Sequence, residues 1–287
     1  MAPIVPGIET RDILFASHDP ASSRPMLAAT LYLPAEADAC RVPALVVGHG
    51  AGSRRTRHEI FCAEAARQGL VVLALDFRGH GDSEGSADGP MEQDILAAVQ
   101  VLREMREVNP NAICYRGSSM AGFYGLVAAP EARFAAMVLI CPASERVFLD
   151  TLDREDATDR DANTDRDDEG GPRFPTPAPG EPPRWEPRAL RSYFESQDSL
   201  DSASRVLCPV LIIHARNDDV VPFDHSLLLV RHLAGEATLV ALPWGGHSTA
   251  QHDPDIHRQS LAWLKQILGR PPRSPAAPNV TGRTARI

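Results

Sequence analysis

At 287 residues, 43% of them hydrophobic, the chain can bury one large core, and it reads as a single domain with an insertion. A formal net charge of -9 at pH 7 disfavours nucleic acid and anionic membrane surfaces as partners, and no apolar run approaches the length of a membrane span. The opening Met1-Ala2-Pro3-Ile4-Val5-Pro6-Gly7 has neither a basic start nor a sustained apolar stretch, which reads as a cytoplasmic protein; five scattered cysteines with no C-x-x-C pair read as buried free thiols.

Arg11 to Ser17 and Met26 to Leu33 are expected to pair antiparallel at the start of a sheet. Val42 to Gly48 is a continuous apolar run, the pattern of a parallel strand covered on both faces, and it ends in His49-Gly50-Ala51-Gly52. A helix follows through Ile60, Phe61, Ala65 and Ala66 to Gln68, stopped by Gly69. Leu70 to Leu75 is the next strand and runs into the glycine-rich Asp76-Phe77-Arg78-Gly79-His80-Gly81-Asp82-Ser83-Glu84-Gly85. Met91 to Val108 sets Ile95, Val99, Leu102 and Met105 on one helical face. Ala112 to Tyr115 reads as a strand, Met120 to Ala128 as a helix, and Ala135 to Cys141 as another buried strand.

The alternation then breaks. Ten acidic residues fall between Asp150 and Glu169 and seven prolines between Pro172 and Pro187, so Asp153 to Pro183 is expected to be a mobile loop, for want of apolar surface. The insertion, about residues 143–205, stands where a lid would sit, with Leu190, Tyr193 and Phe194 of a short helix as its candidates. The core resumes with a strand at Val210 to His214, a helix at Phe223 to Leu233, a strand at Ala237 to Leu242 and a helix at Asp255 to Leu268. The domain thus spans 1–269, and the proline-rich tail, 270–287, is expected to be disordered. Strands alternating with helices give an α/β fold with a mostly parallel central sheet, helices on both faces and a lid-type insertion.

Residues Gly117-Ser118-Ser119-Met120-Ala121 fall where a strand turns sharply into a helix, and read as G-x-S-x-small. Positions two before and two after a nucleophile in such a turn must be small, which selects Ser119; a nucleophile at Ser118 would put Arg116 and Met120 in the crowded places. Asp218, in Ala215-Arg216-Asn217-Asp218-Asp219-Val220-Val221-Pro222, and His247, in Gly246-His247-Ser248, each follow a later strand, so this topology brings all three to one sheet edge. Asp219 competes with Asp218, and His252 and His257 with His247. Arg54, Arg55 and Arg57 read either as a solvated face or as a binder of an anionic substrate group.

With these residues in order, the chain resembles the α/β-hydrolase superfamily from about Leu31 to Leu268, insertion excepted, and within it the esterase, acylglycerol-lipase and serine-aminopeptidase-like group. His49-Gly50-Ala51-Gly52 resembles the family's oxyanion loop, and Asp76 to Gly85 its D-x-R-G-H-G-x-S-x-G segment; Ala121 and Ala215 stand where glycine is more usual. The resemblance implies a serine hydrolase acting on a small ester, with Ser119 as nucleophile, His247 as base and Asp218 as its orienting acid. It implies backbone N–H groups of Ala51 and Met120 as oxyanion donors, and no metal or organic cofactor. An amide or peptide substrate fits the same residues; a non-catalytic binding protein on this fold would have no need of them. His49 is expected to orient the oxyanion loop, and Asp76 and His80 to stitch loops together.

Overall fold

Each buried strand presents alternate side chains to opposite faces, so the core divides in two. In β3 (Val42–Gly48), Ala44 and Val46 join one apolar cluster while Leu45 and Val47 join the other. Both faces therefore require cover. The computed structural model describes residues 7–18, 24–35, 41–160 and 185–270. It sets β3 in an eight-stranded sheet with β1 (Ile8–Ala16), β2 (Met26–Pro34), β4 (Val71–Leu75), β5 (Val108–Ser118), β6 (Met137–Ile140), β7 (Val210–Ala215) and β8 (Ala237–Leu242), in the order β1-β2-β4-β3-β5-β6-β7-β8. The first two ladders are antiparallel and every ladder from β4 to β8 is parallel.

One face is covered by α1 (Glu59–Arg67) through Phe61 and Ala65, and by α9 (Pro254–Leu268) through Ile256, Leu261 and Leu264. The other carries α2 (Glu92–Glu104), α3 (Met120–Ala132) and α7 (Phe223–His232), with α4 (Glu145–Arg160), α5 (Pro187–Glu195) and α6 (Ser199–Ser204) packed into the same cluster. A short α8 (Thr249–His252) leads into α9. No helix among the described residues is long and apolar enough to cross a membrane.

Three expectations are corrected. The helix expected to run to Val108 stops at Glu104, because Asn109-Pro110-Asn111 cannot continue it and Val108 is already paired with Val42 in the sheet. Residues 153–160, expected in a mobile loop, continue α4 instead. Val147, Phe148 and Leu152 bury its first half, and a helix once nucleated propagates cheaply through a run with few strong breakers. Leu190 and Phe194, read as lid residues, are buried in the core: the Phe194 ring stacks on Phe148 at 4.4 Å, and Tyr193 stacks on Tyr124 at 5.8 Å. The rest of the expected loop lies outside the described residues, as does the tail after Arg270, whose own guanidinium pairs with Glu236 at 2.8 Å.

Candidate active site

Ser119 stands between β5 and α3 with φ 51° and ψ -112°, a conformation that residues with a side chain seldom adopt. Main-chain bonds over-determine it: its N–H donates to the Ile140 carbonyl at 2.9 Å, and its carbonyl accepts from the N–H groups of Gly122, Phe123 and Ala143. A Cβ on Gly117 would lie 2.6 Å from the Ala121 carbonyl oxygen, so strand and helix do approach too closely for a side chain there. The turn delivers Ser119 to a cleft of about 490 Å³. Ser118 is fully buried, with no hydrogen-bond partner for its hydroxyl among the described residues.

The cleft wall beside Ser119 is the turn after β3, closed by the Ser53 N–H on the Gly50 carbonyl at 3.2 Å, and it includes Ala51. His49 is fully buried next to it, with Nδ1 2.8 Å from the Gly50 carbonyl and Nε2 accepting from the Phe77 N–H at 3.2 Å. Only a neutral ring protonated at Nδ1 satisfies both. Burial pushes its pKa down to about 4, and Arg54 and Arg55 push the same way. Met120 opens α3, where the first N–H groups lack intrahelical acceptors and lie at the positive end of the helix dipole. Met120 N–H and Ala51 N–H are thus carried by two segments that flank Ser119.

Asp218 follows β7 with its carboxylate fully buried. Its Oδ1 accepts from the N–H groups of Val220 and Val221 at 2.9 and 2.8 Å; its Oδ2 lies 2.8 Å from His247 Nδ1 and 3.2 Å from His214 Nε2. Burial alone would raise this acid. The hydrogen bonds from His214, His247 and Val221 and the attraction of His247 outweigh burial and hold the carboxyl well below the usual carboxylate range. Asp219, the competing acid, is exposed. With Nδ1 engaged by Asp218, His247 has Nε2 left for chemistry in the cleft it shares with Ser119. Cys141 Sγ also comes within 4.8 Å of donor atoms of Asp218 and His247. Burial first, and then the Asp218 charge, push its thiol far above the ordinary range, so the free thiol keeps its proton and donates it in a hydrogen bond to Asp218.

The other expected residues are placed as follows. His252 lines the cleft too but stacks on His58, and His257 is buried and donates Nε2–H to the Gln251 carbonyl at 3.1 Å; neither has the buried carboxylate partner that His247 has among the described residues. Asp76 accepts from the Arg55 N–H at 2.6 Å and from its guanidinium, and His80 Nδ1 lies 3.0 Å from the Arg78 carbonyl: these are stitches. Arg55 is therefore structural, while Arg54 and Arg57 line the cleft. No described residue of the insertion lines it.

Two residues that sequence reasoning passed over support the arrangement. His214 ends an apolar strand, buried, accepting from Ser226 Oγ at 2.7 Å and facing Asp218. Arg116, fully buried three residues before Ser119, lies over the Phe61 ring at 4.2 Å and donates to the Gln251 carbonyl at 3.1 Å; the Gln251 amide in turn donates to the His247 carbonyl at 3.3 Å. A charged or ionisable residue inside an otherwise apolar strand was the available signal for both.

The model of the Alpha/beta hydrolase family matches residues 45–256. Among curated proteins, the chain is 32% identical over 141 residues to the quorum-quenching protein AidA of Acinetobacter baumannii, covering 47% of this chain and 44% of that one. It is 29% identical over 219 residues to the uncharacterized protein Rv2307c of Mycobacterium tuberculosis, covering 75% and 64%. The chain thus spans 44% and 64% of the length of these two relatives. Among solved structures, the hypothetical protein PA2218 of Pseudomonas aeruginosa aligns with a TM-score of 0.73 at 21% identity, covering 93% of this chain and 96% of that one. Est1E of Butyrivibrio proteoclasticus with ferulic acid bound aligns with a TM-score of 0.67 at 20% identity, covering 86% and 98%. These two alignments speak to the fold.

Proposed function

We propose that this chain, which belongs to the alpha/beta hydrolase family, is a serine hydrolase that cleaves a small carboxylic ester through Ser119, His247 and Asp218. The observation that carries the reading is Ser119, held at positive φ by its neighbours' main chain, in the same cleft as a histidine whose Nδ1 is engaged by a buried carboxylate. Ser119 Oγ attacks the ester carbonyl carbon as its proton passes to His247 Nε2. Asp218 holds the His247 tautomer and stabilises the imidazolium. The N–H groups of Met120 and Ala51 receive the developing oxyanion, each such donor being worth on the order of 10²–10³ in turnover. The leaving alkoxide takes the proton from His247, and water, activated by the same ring, releases the acid.

Ester chemistry is further supported by the company the fold keeps, which includes an esterase of Pyrococcus furiosus, aligned with a TM-score of 0.64. The test is hydrolysis of short p-nitrophenyl esters by wild type, Ser119→Ala and His247→Ala, beside aminoacyl anilides. Ester turnover that falls by on the order of 10³ or more in both variants is expected, in line with the residual catalysis left when such residues are removed. Equal turnover by Ser119→Ala and wild type would refute the assignment, and faster cleavage of the anilides would move the substrate class to amides.

A further inference from the structure

The short 3-10 turn after the oxyanion loop, Arg55–His58, treats its arginines in two ways. Arg55 is buried and neutralised, with Asp76 and, at 2.8 Å, Asp82 on its guanidinium and Thr30 on its Nε at 3.1 Å. That clamp fixes the turn. Arg54 and Arg57, on either side, are exposed, and neither has a carboxylate partner among the described residues. Both line the cleft that holds Ser119 and His247, and no aspartate or glutamate is among the described residues that line it. In a chain with a net charge of -9 this is a local inversion of sign.

The field is felt by the ring nitrogens nearby. Burial lowers His49, His58, His252 and His257, and in each case an arginine among Arg54, Arg55, Arg57 and Arg116 pushes in the same direction. Neutral histidines cannot offset the guanidinium charges, and behind the wall Arg116 is buried with no carboxylate partner among the described residues. Desolvating one rim cation with a substrate is unfavourable unless the substrate brings the opposite charge.

We propose that Arg54 and Arg57 form an anion subsite at the mouth of this cleft, so that the ester cleaved at Ser119 carries a second, anionic group such as a carboxylate. This rests on the serine-hydrolase reading above. The guanidinium groups would steer and hold the remote anion while its ester carbonyl meets Ser119 Oγ, and the contribution falls as salt screens it.

The experiment compares p-nitrophenyl hydrogen glutarate with p-nitrophenyl valerate, and 4-carboxyphenyl acetate with 4-carbamoylphenyl acetate, so that the anion is tried on the acyl and on the alcohol side. Each pair is measured with wild type, Arg54→Gln/Arg57→Gln and Arg54→Lys/Arg57→Lys. The readout is the anionic-to-neutral ratio of kcat/KM. For at least one pair, that ratio should fall on the order of tenfold in the glutamine double variant, the size expected of two exposed charge contacts, and be largely kept by the lysine one. In wild type it should also fall with added salt. Ser119-dependent hydrolysis with ratios that glutamine leaves unchanged in both pairs would overturn the subsite and leave the hydrolase reading standing. No Ser119-dependent hydrolysis of any of the four esters would overturn the reading itself, and the subsite with it.

Discussion

Asp218 and Arg116 are two ionised side chains buried within the same site, and they are held in opposite ways. Asp218 collects donors on both oxygens, from Val220, Val221, His214 and His247, and is held ionised well below the usual carboxylate range. Arg116 has five N–H donors to satisfy. It finds the Gln251 carbonyl, a 3.5 Å contact with His58 Nδ1 and the Phe61 ring, while its Nε has no hydrogen-bond partner among the described residues, and burial pulls it down to about 10. Around Asp218 the chain gives both carboxylate oxygens hydrogen-bond donors. Around Arg116 it tolerates an under-solvated cation.

Activity should distinguish the two residues most widely. Asp218→Asn keeps the shape of the side chain but gives His247 a neutral and ambiguous partner, so kcat on a p-nitrophenyl ester should fall on the order of 10³–10⁴ with the fold intact. An unchanged kcat would move the acid elsewhere. Stability should separate the two residues next. Asp218→Leu strands the N–H donors of Val220 and Val221 and the Nδ1 side of His247 and should lose about 3–5 kcal/mol in urea unfolding, whereas Arg116→Met replaces an incompletely paired cation by an apolar chain and should stay within about 1 kcal/mol of wild type or gain. Equal losses would show that Arg116 is as fully satisfied as Asp218.

The smallest effect is in acid. Burial pushes His49 and His257 down to about 4, and Arg116 contributes to the lowering of His257. A depressed histidine is neutral in both states above its unfolded value near 6.5; below that the unfolded chain binds the proton first. Stability is therefore complete above about pH 6.5 and is lost as pH falls towards 4, by up to about 3 kcal/mol for a fully buried histidine such as His49. Removing the Arg116 charge raises the His257 value, so Arg116→Met should lose less stability across that window than wild type does. Urea unfolding at a series of pH values measures both slopes, and identical slopes would contradict the coupling.

Much of the fold was legible because continuous apolar runs such as Val42 to Gly48 and Val210 to His214 admit little besides buried parallel strands, and the polar or glycine-rich stretches after them mark the sheet edge. The placing of Ser119 was legible for a steric reason, since Gly117 and Ala121 meet where strand and helix converge. Residues 153–160 were misread because acidic composition says little about whether a helix is anchored at one end, as α4 is by Phe148 and Leu152. His214 and Arg116 were passed over because their roles depend on partners distant in the chain, such as Ser226 and Gln251, that periodicity does not reveal. The two arginines of the cleft wall could be weighed from sequence but not separated from Arg55, since only the fold decides which arginine meets Asp76.

The proposed function rests on Ser119 being a nucleophile activated by His247. Exposure of the wild-type chain to a fluorophosphonate, followed by intact-mass and peptide mass spectrometry, tests it without knowledge of the substrate. A single adduct on Ser119, absent from Ser119→Ala and much slower to form in His247→Ala, is the predicted result. A well-folded wild-type chain that stays unlabelled, or takes the adduct on Ser118 or another hydroxyl, would contradict it.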